Sequence, residues 1–176
     1  MALTFSIAKP EQAEVITQFV NAAYRGDSSR EGWTTEAELL DGQRTDPRMI
    51  LDLLQKPDQV FLVAYEVEQE HRIVGCVHLE KGEGGTCYLG MLAVKPTLQN
   101  QGIGAQLLAE TESWARSWNC TSVTLGVLAP RRELIDWYTR HQYRVTGEKK
   151  DFPYGDLRFG SPIRKDLHFL VMKKEL

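Results

Sequence analysis

The sequence predicts an α/β (α+β) domain, residues 1–176, built on a mixed central sheet of about seven strands with flanking helices, because two kinds of connection follow one another along it. Three β-rich runs sit on short links: Gln59 to Val67 (QVFLVAYEV), Arg72 to Glu80 (RIVGCVHLE) and Thr86 to Val94 (TCYLGMLAV). Short links join antiparallel neighbours, so these runs form a β-meander. The third run leads instead through KPTLQNQGIG into a helix reaching Trp118, and then into Thr121 to Leu128 (TSVTLGVL). A strand, helix, strand unit is a crossover, which makes its two strands parallel.

The remaining elements follow in order. Leu3 to Ala8 alternates apolar and polar residues and reads as a strand ended by Lys9-Pro10. Pro10 suits a first helical turn, and Val15, Ile16, Phe19, Val20 and Ala23 place one apolar stripe on a helix reaching about Tyr24. Arg25 to Thr34 reads as a loop carrying a lone Trp33. Thr35 with Glu38 fits a capping box ahead of Leu39 and Leu40 and predicts a short second helix. Asp46-Pro47 reads as an N-cap and first helical position leading to Met49, Ile50, Leu53 and Leu54. Glu68 to His71 is the hairpin turn of the meander, and Lys81 to Gly85 is its second turn. After the crossover come a helix from about Arg132 to His141, a strand from Tyr143 to Lys150, the polar-aromatic loop Asp151 to Lys165, and a last strand from Asp166 to Lys173.

Composition narrows the function classes. A charged fraction of 26% and a hydrophobic fraction of 42% suit a soluble globular chain, and a net charge of -3 with no basic run argues against nucleic acid as partner. No apolar stretch approaches membrane-spanning length, so no membrane partner is expected. The cysteines Cys76, Cys87 and Cys120 form no C-x-x-C pair and have no histidine at metal spacing. Neither a disulfide framework nor a metal site is expected, and a reducing cytoplasmic compartment fits best.

The turn after the third strand carries the chemistry. A strand feeding a helix through glycines gathers free backbone N–H groups where the helix dipole is positive, which makes an anion cradle. The dinucleotide fingerprint fails, because Leu107 stands where its third small residue belongs, and no Gly-Lys-Ser/Thr triplet follows for a nucleotide-triphosphate loop. Gln99-Asn100-Gln101-Gly102-Ile103-Gly104 remains, which resembles the Gln/Arg-x-x-Gly-x-Gly/Ala pyrophosphate signature of the Gcn5-related N-acetyltransferase (GNAT) superfamily. Such a turn also serves as a plain tight connection. A second segment, Arg131 to Tyr143 (RRELIDWYTRHQY), is similar to the family's Asn-x-x-Ala-x-x-Phe/Leu-Tyr-x-x-x-Gly-Phe, with Trp137-Tyr138 and Tyr143 in the aromatic positions. It departs from the pattern at Arg131, Leu134 and Gln142. The element order also matches that family over nearly the whole chain.

The resemblance implies a GNAT fold with a splayed parallel strand pair and acetyl-coenzyme A as cofactor. Met91, Leu92, Ala93 and Val94 would bond the pantetheine amides through the backbone, and Gln99, Asn100, Gln101, Gly102, Ile103, Gly104 and Ala105 would hold the diphosphate. Arg131, in place of the usual Asn, would reach a phosphate or the acceptor. Tyr138 matches the family's proton donor to the leaving thiolate; as a residue it also fits a core aromatic sharing a face with Leu134 and His141. His78 and Glu80, two apart on a strand, could share a sheet face near an acceptor amine, yet no motif secures either, and the base is unassigned.

Trp33, Arg44 and Asp46 before the sheet, and Tyr154, Asp156, Arg158 and Phe159 before the last strand, lie where the family tends to build acceptor sites. Arg44 and Arg158 suit a carboxylate or phosphate, and Asp46 and Asp156 an ammonium; internal Arg–Asp pairing explains the same four residues. The implied reaction is acetyl transfer to a primary amine of a small molecule or peptide in a ternary complex, with a homodimer as a family habit. The alternative is a non-catalytic acyl-coenzyme A-binding sensor or regulatory module.

Overall fold

In the computed structural model the described residues are 1–176 for the backbone and all but 69–71 for side chains. The strands are β1 (Leu3–Ile7), β2 (Leu40–Asp41), β3 (Gln59–Glu66), β4 (Gln69–Lys81), β5 (Thr86–Val94), β6 (Ser122–Leu128), β7 (Arg144–Asp151), β8 (Ser161–Pro162) and β9 (His168–Glu175). The helices are α1 (Ala13–Tyr24), α2 (Gly26–Ser29), α3 (Pro47–Leu54), α4 (Ile103–Ser117) and α5 (Arg132–Arg140). Seven strands make one mixed sheet in the order β1-β3-β4-β5-β6-β9-β7, in which β5 and β6 are the parallel pair. The last strand enters between β6 and β7, antiparallel to both.

Strand period two divides the core between the sheet's faces. On β3, Leu62 and Ala64 join Ile103, Leu107, Leu108 and Ile135 of α4 and α5. Phe61 and Val63 point the other way, onto Ile16, Val20 and Ile50 of α1 and α3. Cys76, Cys87 and Cys120 are free and buried in this packing.

The parallel pair is short. β5 and β6 are in register only over Thr86–Tyr88 and Ser122–Thr124, and beyond Tyr88 they part. A bulge explains the divergence: β4 and β5 pair His78 with Gly90 and Cys76 with Ala93, so two residues, Met91 and Leu92, oppose Val77. Met91 sits at φ 46°, a conformation unusual outside glycine.

The segment between α1 and α3 departs from the sequence reading. The short helix expected after Thr35 is absent; Thr35 Oγ1 accepts from Ala37 N at 3.0 Å, a local turn that replaces the capping box. Leu40–Asp41 is instead the strand β2, paired with β8, and the helical turn in this region is α2, inside the expected loop. The Asp46 N-cap of α3 is present, its carboxylate accepting from Met49 N at 2.8 Å. In the β3–β4 hairpin the expected turn at 68–71 is tighter, since β4 begins at Gln69; the side chains of Gln69, Glu70 and His71 lie outside the described residues.

Candidate active site

Where β5 and β6 part, a cleft opens between Leu89–Val94 on one side and Leu125–Leu128 on the other. Two adjoining cavities occupy it and share Tyr24, Leu92, Arg131, Leu134 and Tyr138. The first runs toward the α4 turn past Trp33, Thr34, Val94, Gln99, Asn100 and Trp137. The second runs under the 152–160 loop past Arg44, Leu128, Phe152 and Phe159.

At the head of the first cavity Asn100 and Gly102 take left-handed backbone at φ 63° and 80°, which turns the chain into α4. The N–H groups of Gln101, Gly102, Ile103, Gly104 and Ala105 donate to no other described protein group, and Gln106 N is the first to close a helical bond, onto Gly102 O. Five free donors at the positive end of a 15-residue helix suit a diphosphate. Two motif residues serve the fold itself. The Gln99 side chain, expected at the diphosphate, accepts from Trp33 N at 2.9 Å and donates to Val94 O at 3.4 Å, fastening the 32–33 loop to the end of β5. Gly104 is small because of α5: a Cβ there would stand 3.0 Å from Trp137 Cζ2, whereas one at Gly102 would meet open space.

The floor between the cavities is a polar cluster. Glu36, 5% exposed, accepts from Arg25 Nε at 3.0 Å through Oε2 and from Arg131 Nη1 at 3.1 Å through Oε1. Arg131 Nη2 also donates to Thr34 Oγ1 at 2.7 Å. Arg25 reaches Gln43 O at 2.8 Å and Phe159 O at 3.2 Å, so one guanidinium ties together the two loops roofing the second cavity. Burial lowers the Arg25 pKa, opposed by Glu36 beside it. Arg131, expected at a phosphate or the acceptor, is thus committed mainly to Glu36.

Two tyrosines face the cleft with different duties. Tyr24 Oη donates to Leu92 O at 3.0 Å, and burial pushes its pKa up to about 12. Tyr138 is 5% exposed, lines both cavities, and its hydroxyl has no hydrogen-bond partner among the described residues. Burial first, then the neighbouring Tyr24 and Tyr143, push its pKa well above the ordinary phenol value, so its proton stays in place at neutral pH.

Several expected acceptor residues lie elsewhere. Glu80 pairs with Tyr88 at the closed end of the sheet and is exposed. His78, though on the expected strand, is buried, bonds Gln59 Oε1 at 2.8 Å, packs beside Phe61 and lines neither cavity. Asp46 caps α3. Tyr154 Oη donates to Arg164 O at 2.9 Å and accepts from Leu167 N at 2.8 Å, closing its own loop. Arg158 forks onto Asp156 at 2.6 Å in solvent, the internal pairing weighed as the alternative. Trp33 reaches the first cavity, 6.5 Å from Trp137, on the side toward the α4 turn, and does not line the second. Arg44 reaches the second. Sequence reasoning missed Tyr24, which ended an apolar stripe, and Arg25 and Glu36, which fell in a loop and a capping pattern.

Comparison with known proteins agrees with this architecture. The sequence profile of the acetyltransferase (GNAT) family matches residues 27–143. The chain belongs to the GNAT family. GNAT proteins are acetyltransferases that use acetyl-coenzyme A, and the free cradle and open strand edge fit that cofactor. Among solved structures, an IAA acetyltransferase from Bacillus cereus ATCC 14579 superposes with a TM-score of 0.69 at 16% identity, over 99% of this chain and 100% of its own. The PaiA N-acetyltransferase of Thermoplasma acidophilum, solved with coenzyme A, gives 0.68 at 18% identity with both chains fully covered. A Bacillus anthracis str. Ames protein assigned as a streptothricin acetyltransferase, solved with acetyl coenzyme A, gives 0.58 at 19% over 71% of this chain and 66% of its own. At such identities the likeness is one of fold. Among the described residues no helix is long and apolar enough to cross a membrane, and no group of three or more His, Cys, Asp or Glu is arranged around a metal.

Proposed function

We propose that this GNAT protein is an N-acetyltransferase, with the acceptor amine entering the second cavity and meeting the acetyl group beside Tyr138. The observation that carries the reading is the parting of β5 from β6, which leaves an open strand edge and an unbonded, proton-bearing phenol facing one cleft. Bound acetyl-coenzyme A supplies an acetyl group activated as a thioester. The N–H groups of Gln101 to Ala105 hold the diphosphate, and the edge of β5 from Met91 to Val94 aligns the pantetheine arm. Trp33 and Trp137 wall that channel.

Proton handling divides between the tyrosines. Tyr24 has its proton committed to Leu92 O, so it positions the strand edge. Tyr138 Oη holds a free proton and delivers it to the departing sulfur, and the proton that the nitrogen loses on becoming an amide restores the phenol. For the amine, among the described residues Glu36 is the only carboxylate lining either cavity and no histidine lines them, and both Glu36 oxygens are occupied by guanidiniums. The site favours a neutral amine in another way. Arg25, Arg44 and Arg131 line the second cavity, and like charges disfavour an ammonium there, so the acceptor sheds its proton to water on entry.

The scarcity of a free base favours one second reading, an acyl-coenzyme A-binding module without turnover. Coenzyme A release from acetyl-coenzyme A, measured over a panel of amines with calorimetric cofactor binding alongside, separates the two. Amine-dependent release with a mass gain of one acetyl group on the acceptor is expected. Tight binding with no release on any amine would favour the module, and no binding would overturn both.

A further inference from the structure

We propose that the acceptor belongs to the amino acid class, a primary amine carrying one carboxylate and an apolar side chain, and that Arg44 receives the carboxylate. The inference rests on the acetyl-transfer reading and deepens it. Apart from its charges, the second cavity is walled by aliphatic and aromatic groups, among them Leu89, Leu125, Val127, Phe152 and Phe169. That wall suits an apolar side chain. Among the described residues its charged groups are three guanidiniums against one carboxylate, and Glu36 is already shared by Arg25 and Arg131. A polyamine or other polycation would meet this surplus with no acidic group left to receive it.

Arg44 differs from the other two arginines. Among the described residues its guanidinium pairs with no carboxylate, yet its position is built. The backbone N–H groups of Arg44 and Thr45 donate to Asn21 Oδ1 at 2.7 and 3.0 Å, and Asn21 Nδ2 returns a bond to Thr45 O at 2.9 Å. The guanidinium lies 5.5 Å from the centroid of the Tyr24 ring, whose hydroxyl is on Leu92 O. One aromatic ring therefore separates a half-buried, uncommitted cation from the strand edge where the acetyl group would lie. A single planar fork matches one carboxylate. Arg158, the other arginine of suitable type, is bound to Asp156 and lines neither cavity.

The test compares L-phenylalanine and L-leucine with their carboxamides and their aminophosphonic acid analogues, in the wild type and in Arg44→Gln and Arg44→Lys. We expect kcat/KM at least tenfold higher for the amino acids than for the amides. In Arg44→Gln the preference should collapse through KM, and in Arg44→Lys it should partly return. Binding of N-acetyl-L-phenylalanine and its amide to the coenzyme A complex, followed by calorimetry, reads the same pocket without turnover and should favour the acid at least tenfold. Amides accepted as well as acids, or a preference untouched by Arg44→Gln, would overturn the proposal, and aminophosphonates preferred tenfold over the amino acids would overturn the carboxylate. If no amine is acetylated while the N-acetyl acid still binds through Arg44, the failure belongs to the catalytic reading and the anion site stands.

Discussion

Tyr138 and Tyr24 carry the same functional group a short way apart, and their hydrogen bonds separate their roles. Tyr24 has an acceptor in Leu92 O; Tyr138 has none among the described residues. Replacing Tyr138 by Phe keeps the ring that stacks edge-on to Trp137 and Tyr143 while removing the proton. We expect kcat to fall by roughly 10²-fold or more, the usual worth of a positioned acid, with coenzyme A affinity unchanged in calorimetry. Unchanged kcat in single-turnover measurement would remove Tyr138 from the chemistry. Tyr24→Phe should act differently, loosening the β5 edge and raising KM for acetyl-coenzyme A.

At the scale of elements, the two glycines of the α4 turn have separable duties. A side chain at Gly102 meets no neighbour but must adopt φ 80°, and it projects where the cradle is open. Gly102→Val should therefore weaken coenzyme A binding at least tenfold, with only the loss of stability that left-handed backbone imposes, on the order of 1–3 kcal/mol. Gly104→Val drives into Trp137 and should lower Tm through the α4–α5 packing, which thermal unfolding without ligand would detect. The roof depends on Arg25, whose guanidinium joins Glu36, Gln43 O and Phe159 O. Arg25→Ala leaves the buried Glu36 carboxylate on Arg131 alone and frees the carbonyls of Gln43 and Phe159, and should cost about 1–3 kcal/mol in urea unfolding. Protease cutting in the 152–160 loop should rise with it.

Over the whole molecule, acid sensitivity has a buried source. His78 is 8% exposed, and burial, then Arg44 and Lys56, lower its pKa to about 4 from an ordinary 6.5. The unfolded chain thus binds the proton more readily than the folded one. The contribution of neutral His78 is intact above pH 6.5 and is lost as pH falls toward 4, by an amount on the order of 3 kcal/mol. Urea unfolding at pH 7.5 and 4.5 should show this loss, and His78→Gln should flatten it; an equal slope in the variant would assign the acid sensitivity to other groups.

Much of the fold was legible because its signals are local. Alternation marked β1, β-rich runs marked β3, β4, β5 and β6, the glycine turn marked the start of α4, and Asp46-Pro47 marked α3. The failures share a cause. The Thr35 and Glu38 spacing indicates a capping box only if nothing competes, and here the chain around Glu36 is drawn inward to meet Arg25 and Arg131, the latter 95 positions away. Tyr24, Arg44 and Glu36 join one site because α1, the loop before α3 and the opened strand pair converge at it. Arg158 and Arg44 look alike in sequence, and only their neighbours make one a surface pair and the other a cation in the cleft with no carboxylate partner among the described residues. The sequence by itself determined the order of the seven strands of the main sheet and of α1, α3, α4 and α5, the glycine turn into α4 and the family, since these signals act over a few residues. Tertiary structure alone decided which charges are paired and which phenol keeps its proton free, because pairing and desolvation depend on residues that only the folded chain brings together.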